Sequence, residues 1–532
     1  MPADPAQDGP AALDELAEAD LEAGVEQYAE AILGLARRGA IDAESWRPIY
    51  ERGLLEAYRR NDLPGVLAMT RLMVNVRDAQ GLPEHALAEL DHALTLASNL
   101  PDVLLVLNGV RACVLAGRGE IRAGRRSLEA AEGARGPASA TSAVLQAKVN
   151  AATFGCLALD RDMTGPAGLA LSEARTLSND PSYLYLLSWF IPYLVAVGKR
   201  TAATPWIRSL GASASVTEHQ WRRADAAVFD EAMAAVGDPS AASGLEVPPQ
   251  NWAARWRLLL LELRRALWRA DRAAAESCLQ DLRDHHALMG ESTLGDIEAF
   301  AACALAYFSP DERVQLERPA QVYLGNLGGV LAAAEAIALA GTQRQASDWL
   351  SWLRRALPSH IETSIEWPVS RRRVQALLAL KAGRIPTARK GLSSAAEWAE
   401  TNDYTVESGV SRTQLSELLI RQTGPSSSRE RAEQRRLGRR QLSEFGIDPL
   451  PHAYVASRTF AAGSAATPGP KLTPREVEVL TQLAAGLTYR ETATSLGVSW
   501  PTVQTLAHRA YEKLGVSGKV RATNVARELG II

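Results

Sequence analysis

Apolar residues along most of this chain recur three and four positions apart, and few stretches alternate with period two. That pattern predicts helix after helix, and the last 62 residues, 471–532, show it most legibly. Thr473-Pro474-Arg475-Glu476 reads as a capping box with Pro at the first helical position. Val477, Leu480 and Leu483 follow on one face, and Gly486 ends the helix. Thr488-Tyr489-Arg490-Glu491 opens a second, short helix through Ala493 and Leu496 to Gly497. Ser499 caps a third, whose Val503, Ala507, Ala510 and Leu514 form one stripe before Gly515. Two helices joined at Gly497 by a turn of a few residues predict a helix-turn-helix.

The polar half of the third helix carries the candidate chemistry. Pro501, Thr505, His508, Arg509 and Glu512 face away from its apolar stripe, with Gln504 and Lys513 on the flanks. A Gln can pair both edges of an adenine, and an Arg can fork onto guanine or a phosphate, which gives Gln504 and Arg509 base-reading roles. Arg490, Lys513, Lys519 and Arg521 suit phosphate contacts, which position without reading sequence. With Thr488, Tyr489, Ser499 and Thr502 at the helix starts, these are the expected contacts to double-stranded DNA. Residues 471–532 hold eight Lys and Arg against five Glu, while the whole chain sums to −3. The basic surplus lies where nucleic acid would bind.

The segments LTPREVEVL (472–480), GLT (486–488), Glu491, Ala493, LGVS (496–499), Thr502-Val503 and KLGV (513–516) resemble the LuxR/GerE/NarL-type helix-turn-helix domain. The resemblance covers about an eighth of the chain. It implies a four-helix module in which a last helix near 519–529 assists dimerisation, with Val520, Thr523 and Arg527 as its candidate contacts. Three positions depart from the family pattern: Thr492 for Ile, Gln504 for Lys and Leu506 for His. They bear on DNA affinity and target sequence rather than on fold. Residues 502–514 also resemble the last helix-turn-helix of sigma factors, but nothing like a promoter-melting domain precedes them.

Upstream, the spacing Gly-x4-Ala-x3-(Leu/Ile) occurs at Gly81/Ala86/Leu90, Gly198/Ala203/Ile207, Gly341/Ala346/Leu350 and Gly383/Ala388/Leu392. Ala93, Leu210, Leu353 and Ala395 stand three residues further on. Gly turns the chain between two helices, Ala lets them approach, and the larger residue fills the gap. The spacing resembles the second half of a tetratricopeptide repeat, in irregular register, and implies a degenerate α-solenoid. Such arrays present a concave surface to peptides, proteins or small ligands. Eleven of the twelve tryptophans lie in this region, and a cluster that includes Tyr185, Trp189, Tyr193, Trp252 and Trp256 is the best candidate for an effector pocket, against the plainer reading of core filling. The stretch 427–445 carries six arginines and reads either as a solvated face or as an auxiliary contact to DNA or an acidic partner.

The expected organisation is all-α: a disordered start (1–10), a tetratricopeptide-like region (11–460), a flexible Ala/Gly/Ser/Pro linker (461–470) and the helix-turn-helix domain (471–532). At 532 residues, more than one core is expected. Four separated cysteines without C-x-x-C point to reduced thiols, no zinc site and a cytoplasmic setting. The acidic N-terminus lacks the apolar core of a signal peptide. Residues 181–198 are uncharged, but Pro192 should end or kink a helix there, so a buried helix and no membrane span are expected. Larger LuxR-type regulators add an ATPase, yet Gly-Lys occurs only at 198–199 and 518–519, without the phosphate-loop context. No cofactor and no catalytic site are expected. The reading is a DNA-binding transcription regulator, a homodimer on DNA that also engages RNA polymerase, with a small-molecule or protein effector on the helical region. The alternative is a helical scaffold whose helix-turn-helix is vestigial or binds protein.

Overall fold

In this computed structural model the described residues run from 47 to 452 and from 472 to 526, with Val25 before them and gaps within, the longer ones inside 61–82 and 238–251. The chain divides into two compact units, Met1–Gly463 and Ser464–Ile532. Among the described residues there is no strand. The expected disordered start and the linker 461–470 lie outside the described residues.

The first unit is a succession of helices. They are α1 (Arg47–Arg60), α2 (Pro83–Leu96), α3 (Pro101–Gly117), α4 (Ile121–Ala134), α5 (Thr141–Ala158), α6 (Thr164–Thr176), α7 (Asp180–Ala196), α8 (Arg200–Val216) and α9 (Gln220–Gly237). There follow α10 (Trp252–Arg269), α11 (Arg272–Met289), α12 (Leu294–Phe308), α13 (Leu327–Ala340), α14 (Gln343–Ala356), α15 (Arg371–Lys381), α16 (Ile385–Thr401), α17 (Thr405–Leu419) and α18 (Pro425–Ser443).

The spacing read in the sequence marks real helix pairs. Gly198, Gly341 and Gly383 lie between α7 and α8, α13 and α14, and α15 and α16. All twelve Ala, Leu and Ile positions of the four copies are buried, none more than 3 % exposed. Gly81, of the first copy, lies outside the described residues. Two further copies were hidden by substitution. Between α3 and α4, Gly119 turns the chain and Gly124 takes the place of Ala, where a Cβ would come within 2.9 Å of the Ala112 carbonyl. Between α10 and α11, Ala270 itself adopts φ 56°, with Ala275, Leu279 and Leu282 buried after it.

Pro192 does not end its helix. It lies inside α7, which continues to Ala196. Leu186, Leu187, Phe190, Ile191 and Leu194 are buried around it, and packing on this scale holds a helix that local propensity would break. Among the described residues no helix is long and apolar enough to cross a membrane.

Parts distant in sequence meet inside this unit. The Glu362 amide donates to the Ala196 carbonyl (2.6 Å), and Arg200 donates to the Asp403 carbonyl (2.6 Å). Where α10, α13, α15 and α17 come together, two arginines and two glutamates are fully buried. Glu335 accepts from Arg264 (2.9 Å), Arg373 (2.7 Å) and the Tyr307 hydroxyl (2.8 Å), and Arg373 also reaches Glu407 (2.8 Å). The Arg264 guanidinium stacks 4.9 Å from the Trp367 ring centre. Burial alone would raise the Glu335 pKa, but the two arginines outweigh it and hold the carboxyl down at about 2.

Candidate nucleic-acid interface

The second unit contains α19 (Pro474–Ala484), α20 (Tyr489–Leu496) and α21 (Trp500–Lys513). Both capping boxes form. Thr473 accepts from the Glu476 amide while Glu476 accepts from the Thr473 amide (2.7 Å), and Thr488 and Glu491 repeat the arrangement. The backbone and hydroxyl of Thr488 hold the Glu491 carboxyl below its ordinary pKa. Gly497 ends α20 at φ 65°, the left-handed conformation that turns the chain directly toward Ser499, the N-cap of α21.

The core of this unit is Val479, Leu480, Leu483, Ala493, Val503, Ala507, Ala510, Tyr511, Ala522 and Ala526. Two positions differ from the sequence pattern. Val479 rather than Val477 packs inward from α19, because the buried face runs 476, 479, 480, 483 and includes the Glu476 carboxylate. Tyr511 rather than Leu514 completes the α21 face, and its hydroxyl meets that of Tyr489 at 2.8 Å. Thr492 is fully buried and its hydroxyl has no partner among the described residues. Leu506 is half-buried against the same core.

The opposite side of α21 is solvent-facing. Pro501, Thr502, Gln504, Thr505, His508, Arg509 and Glu512 are all exposed, as are Arg490 on α20 and the cap Ser499. Several expected contacts already have intramolecular partners. The Ser499 and Thr502 hydroxyls lie 2.7 Å apart, and Thr505 donates to the Pro501 carbonyl (2.9 Å). The half-buried Tyr489 is tied to Tyr511. Lys513 donates to both Glu476 carboxylate oxygens, at 2.8 and 2.7 Å, and Lys519 to the Leu487 carbonyl (2.7 Å). Burial would raise the Glu476 pKa, but Lys513 and Thr473 lower it. Arg490, Gln504 and Arg509 are therefore the exposed groups best placed to meet a ligand, while the two lysines fasten the fold.

Sequence reasoning missed Trp500. It begins α21, directly after the cap, and is 46 % exposed. This exposed aromatic stands at the start of α21 beside the exposed Pro501, Thr502 and Gln504. The signal was available: it is the one tryptophan outside the long upstream region.

Residues 470–526 match the family described as bacterial regulatory proteins, luxR family (GerE). Residues 470–526 are a LuxR-family helix-turn-helix domain. The family is one of DNA-binding regulators rather than enzymes. No curated protein matches the chain. In the LuxR-type domain, residues 519, 522, 523 and 526 are helical, and Ala522 and Ala526 complete the core. Thr523, expected at a dimer contact, is buried and its hydroxyl donates to the Lys519 carbonyl (3.1 Å). Val520 and Arg527 lie outside the described residues, as do Gly515 and Arg521.

The expected effector pocket in the first unit fares differently. Tyr193 is fully buried, donates to the Arg161 carbonyl (3.0 Å) and accepts from the Met163 amide (2.9 Å), so it pins a loop. Tyr185, Trp189 and Trp256 are half-buried against the main core. The Trp252 side chain lies outside the described residues. An open cleft of about 1110 Å³ lies elsewhere, lined by Arg118, Arg122, Arg126, Glu298, Arg318 and Tyr323 among others. Among the described residues no group of three or more His, Cys, Asp or Glu side chains is placed to hold a metal. The four cysteines are free thiols.

Proposed function

We propose that the protein regulates transcription by docking α21 in the DNA major groove while its helical region controls the availability of the module. The observation that carries this reading is the two-sidedness of α21. Val503, Ala507, Ala510 and Tyr511 bury one side in the core of the domain, and the other presents Gln504 and Arg509 to solvent beside Arg490. Gln504 and Arg509 suit base edges, and Arg490 suits a phosphate. The proposal extends to a homodimer on DNA, with an effector on the helical region and RNA polymerase as downstream partner, acting in the cytoplasm where the DNA is. Tetratricopeptide-like architecture is part of the proposal, supported by the buried hairpin spacing.

The test is binding of the full chain to duplexes from its own promoter region at low salt. The reading expects a salt-sensitive complex that Arg509→Ala weakens without lowering the melting temperature. A folded chain that binds none of these duplexes at about 50 mM salt sinks the reading and favours a scaffold role.

A further inference from the structure

The most strongly charged helix of the first unit is α18, whose residues include six arginines and two glutamates. Its rotation is fixed by a close crossing with α17. A Cβ on Gly438 would stand 2.8 Å from the Thr413 hydroxyl and 2.9 Å from the Gly409 carbonyl, so the two helices touch backbone to backbone there. Gln441 and Leu442 are buried beside it. At about 100° per residue, Arg429, Arg436, Arg439 and Arg440 then fall within one outward arc of about 100°, opposite Gly438. All four are exposed.

Some half-buried arginines elsewhere on this unit find carboxylates, as Arg111 does with Asp91 (2.6 Å) and Arg372 with Glu362 (3.0 Å). On this arc the arginines do not. Arg429, Arg436 and Arg439 make no ion pair among the described residues, and Arg440 reaches only Glu444, at 3.8 Å with both ends exposed. A pair of that kind neutralises little. Glu430 is taken by Arg389, which leaves Glu433 as the acidic neighbour at the edge of the arc. The outer face of α18 is therefore a cationic strip about 16 Å long, from Arg429 to Arg440, at 1.5 Å per residue. It stands on a chain whose residues outside 471–532 are net acidic.

We infer that this strip is a second, sequence-independent contact to duplex DNA. The inference rests on the DNA-binding reading of the LuxR-type domain. Duplex of that length carries about five phosphates on each strand, a density of charge that four outward guanidiniums match. Arginines in mid-helix on long stems suit phosphates, which position without reading sequence. The partner is selected by tethering. His452, buried on the Trp268 carbonyl (3.0 Å), is the last described residue of the first unit, and Leu472 is the first of the second. Twenty residues of chain span at most about 70 Å, so once α21 is docked the strip meets the same duplex at high effective concentration. An acidic protein would have to reach it from free solution.

The test uses the full chain and a fluorescein-labelled 40-bp duplex of mixed sequence, because the contact reads no operator. Anisotropy titrations from about 25 to 200 mM salt give the slope of log K against log salt, at about 0.9 per phosphate contact. The quadruple Arg→Gln variant at 429, 436, 439 and 440 is expected to lower that slope by about 2 to 4 and to weaken binding equally on duplexes of unrelated sequence. Arg436→Gln alone is expected to lower it by about 0.9, which covers the case in which the quadruple variant folds poorly. Lysine at all four positions is expected to restore the slope. A well-folded quadruple variant with the wild-type slope overturns the inference, and leaves the strip to solvent or an acidic protein. Wild-type binding that still depends on Arg490 and Arg509 would then keep the proposed function standing. No wild-type binding at 25 mM salt removes both.

Discussion

Lys513, at the end of α21, holds Glu476, in the first turn of α19, through both carboxylate oxygens at 2.8 and 2.7 Å. The helix that should enter the groove is thus bolted to the helix that starts the domain. The same Glu476 caps α19 through the Thr473 amide, so one carboxylate sets both the start of the first helix and the seating of the last. A lysine that the sequence offers as a phosphate contact serves the geometry of its neighbours.

Lys513→Ala is therefore expected to cost stability first and DNA affinity only through it. Glu476 is 2 % exposed and the lysine 38 %, so the loss is that of a half-buried pair, about 1–2 kcal/mol. In a Glu476→Gln background the same substitution should cost much less, because no buried charge is stranded. Thermal melts of the four members of the cycle check this. Additive losses would show that the pair does not couple the two helices.

Arg509→Ala should behave in the opposite way. Arg509 is exposed and makes no hydrogen bond or ion pair among the described residues. Its loss should leave the melting temperature within about a degree, since surface substitutions of this type stay within about 0.5 kcal/mol. It should weaken specific binding by about 1–3 kcal/mol if it forks onto a guanine, and shallow the salt slope by about 1 if it contacts a phosphate. Comparing operator and non-operator duplexes separates the two.

The buried network of the first unit gives a third expectation. Glu335→Gln leaves Arg264 and Arg373, both fully buried, with only Glu407 to answer them. Breaking a buried ionic cluster in this way costs about 3–5 kcal/mol. The exposed pair Arg272–Glu276 is the control, and Glu276→Gln should cost about 0.5 kcal/mol or less. Urea unfolding followed by tryptophan emission reads this unit, because eleven of the twelve tryptophans belong to it. Equal shifts for the two variants would show that the cluster contributes no more than a surface pair.

How much of this could be read in advance follows from where the information sits. Helix punctuation is local, so Thr473, Thr488, Ser499 and Gly497 announced their roles and took them. The hairpin spacing was legible wherever Gly and Ala filled it, and invisible where Ala270 supplied the turn or Gly124 the close approach. Lys513 and Glu476 are 37 residues apart, and nothing local joins them. The same is true of Arg264, Glu335, Arg373 and Glu407, which tertiary packing alone assembles. One clue did exist: Glu335 is the single charge in the otherwise apolar helix LGGVLAAAEAIALA, and a charge there has to be answered from elsewhere.

The last expectation concerns pH and rests on His452. The ring is fully buried, with Nε2 3.0 Å from the Trp268 carbonyl. A carbonyl only accepts, so Nε2 carries the hydrogen and Nδ1 is left bare, without a partner among the described residues. The charged groups around it are Arg264, Arg373 and Glu335, with the Tyr307 ring 6.5 Å away. Burial foremost, then the arginines, push its pKa down to about 4, against the opposing pull of the Trp268 carbonyl and Glu335. Unfolded, the same histidine titrates near 6.5. Between those values the unfolded chain holds a proton that the folded chain refuses, so stability falls as pH drops from about 6.5 toward 4, by up to about 1.4 kcal/mol per pH unit. Glu335 acts in a lower window, between 4.5 and about 2, and does not confuse the reading. His452→Gln keeps a donor for the Trp268 carbonyl and removes the titration. Urea midpoints at pH 7, 6 and 5 should therefore fall more steeply for the wild type than for this variant. Parallel lines would mean that the His452 ring is accessible enough to protonate in place.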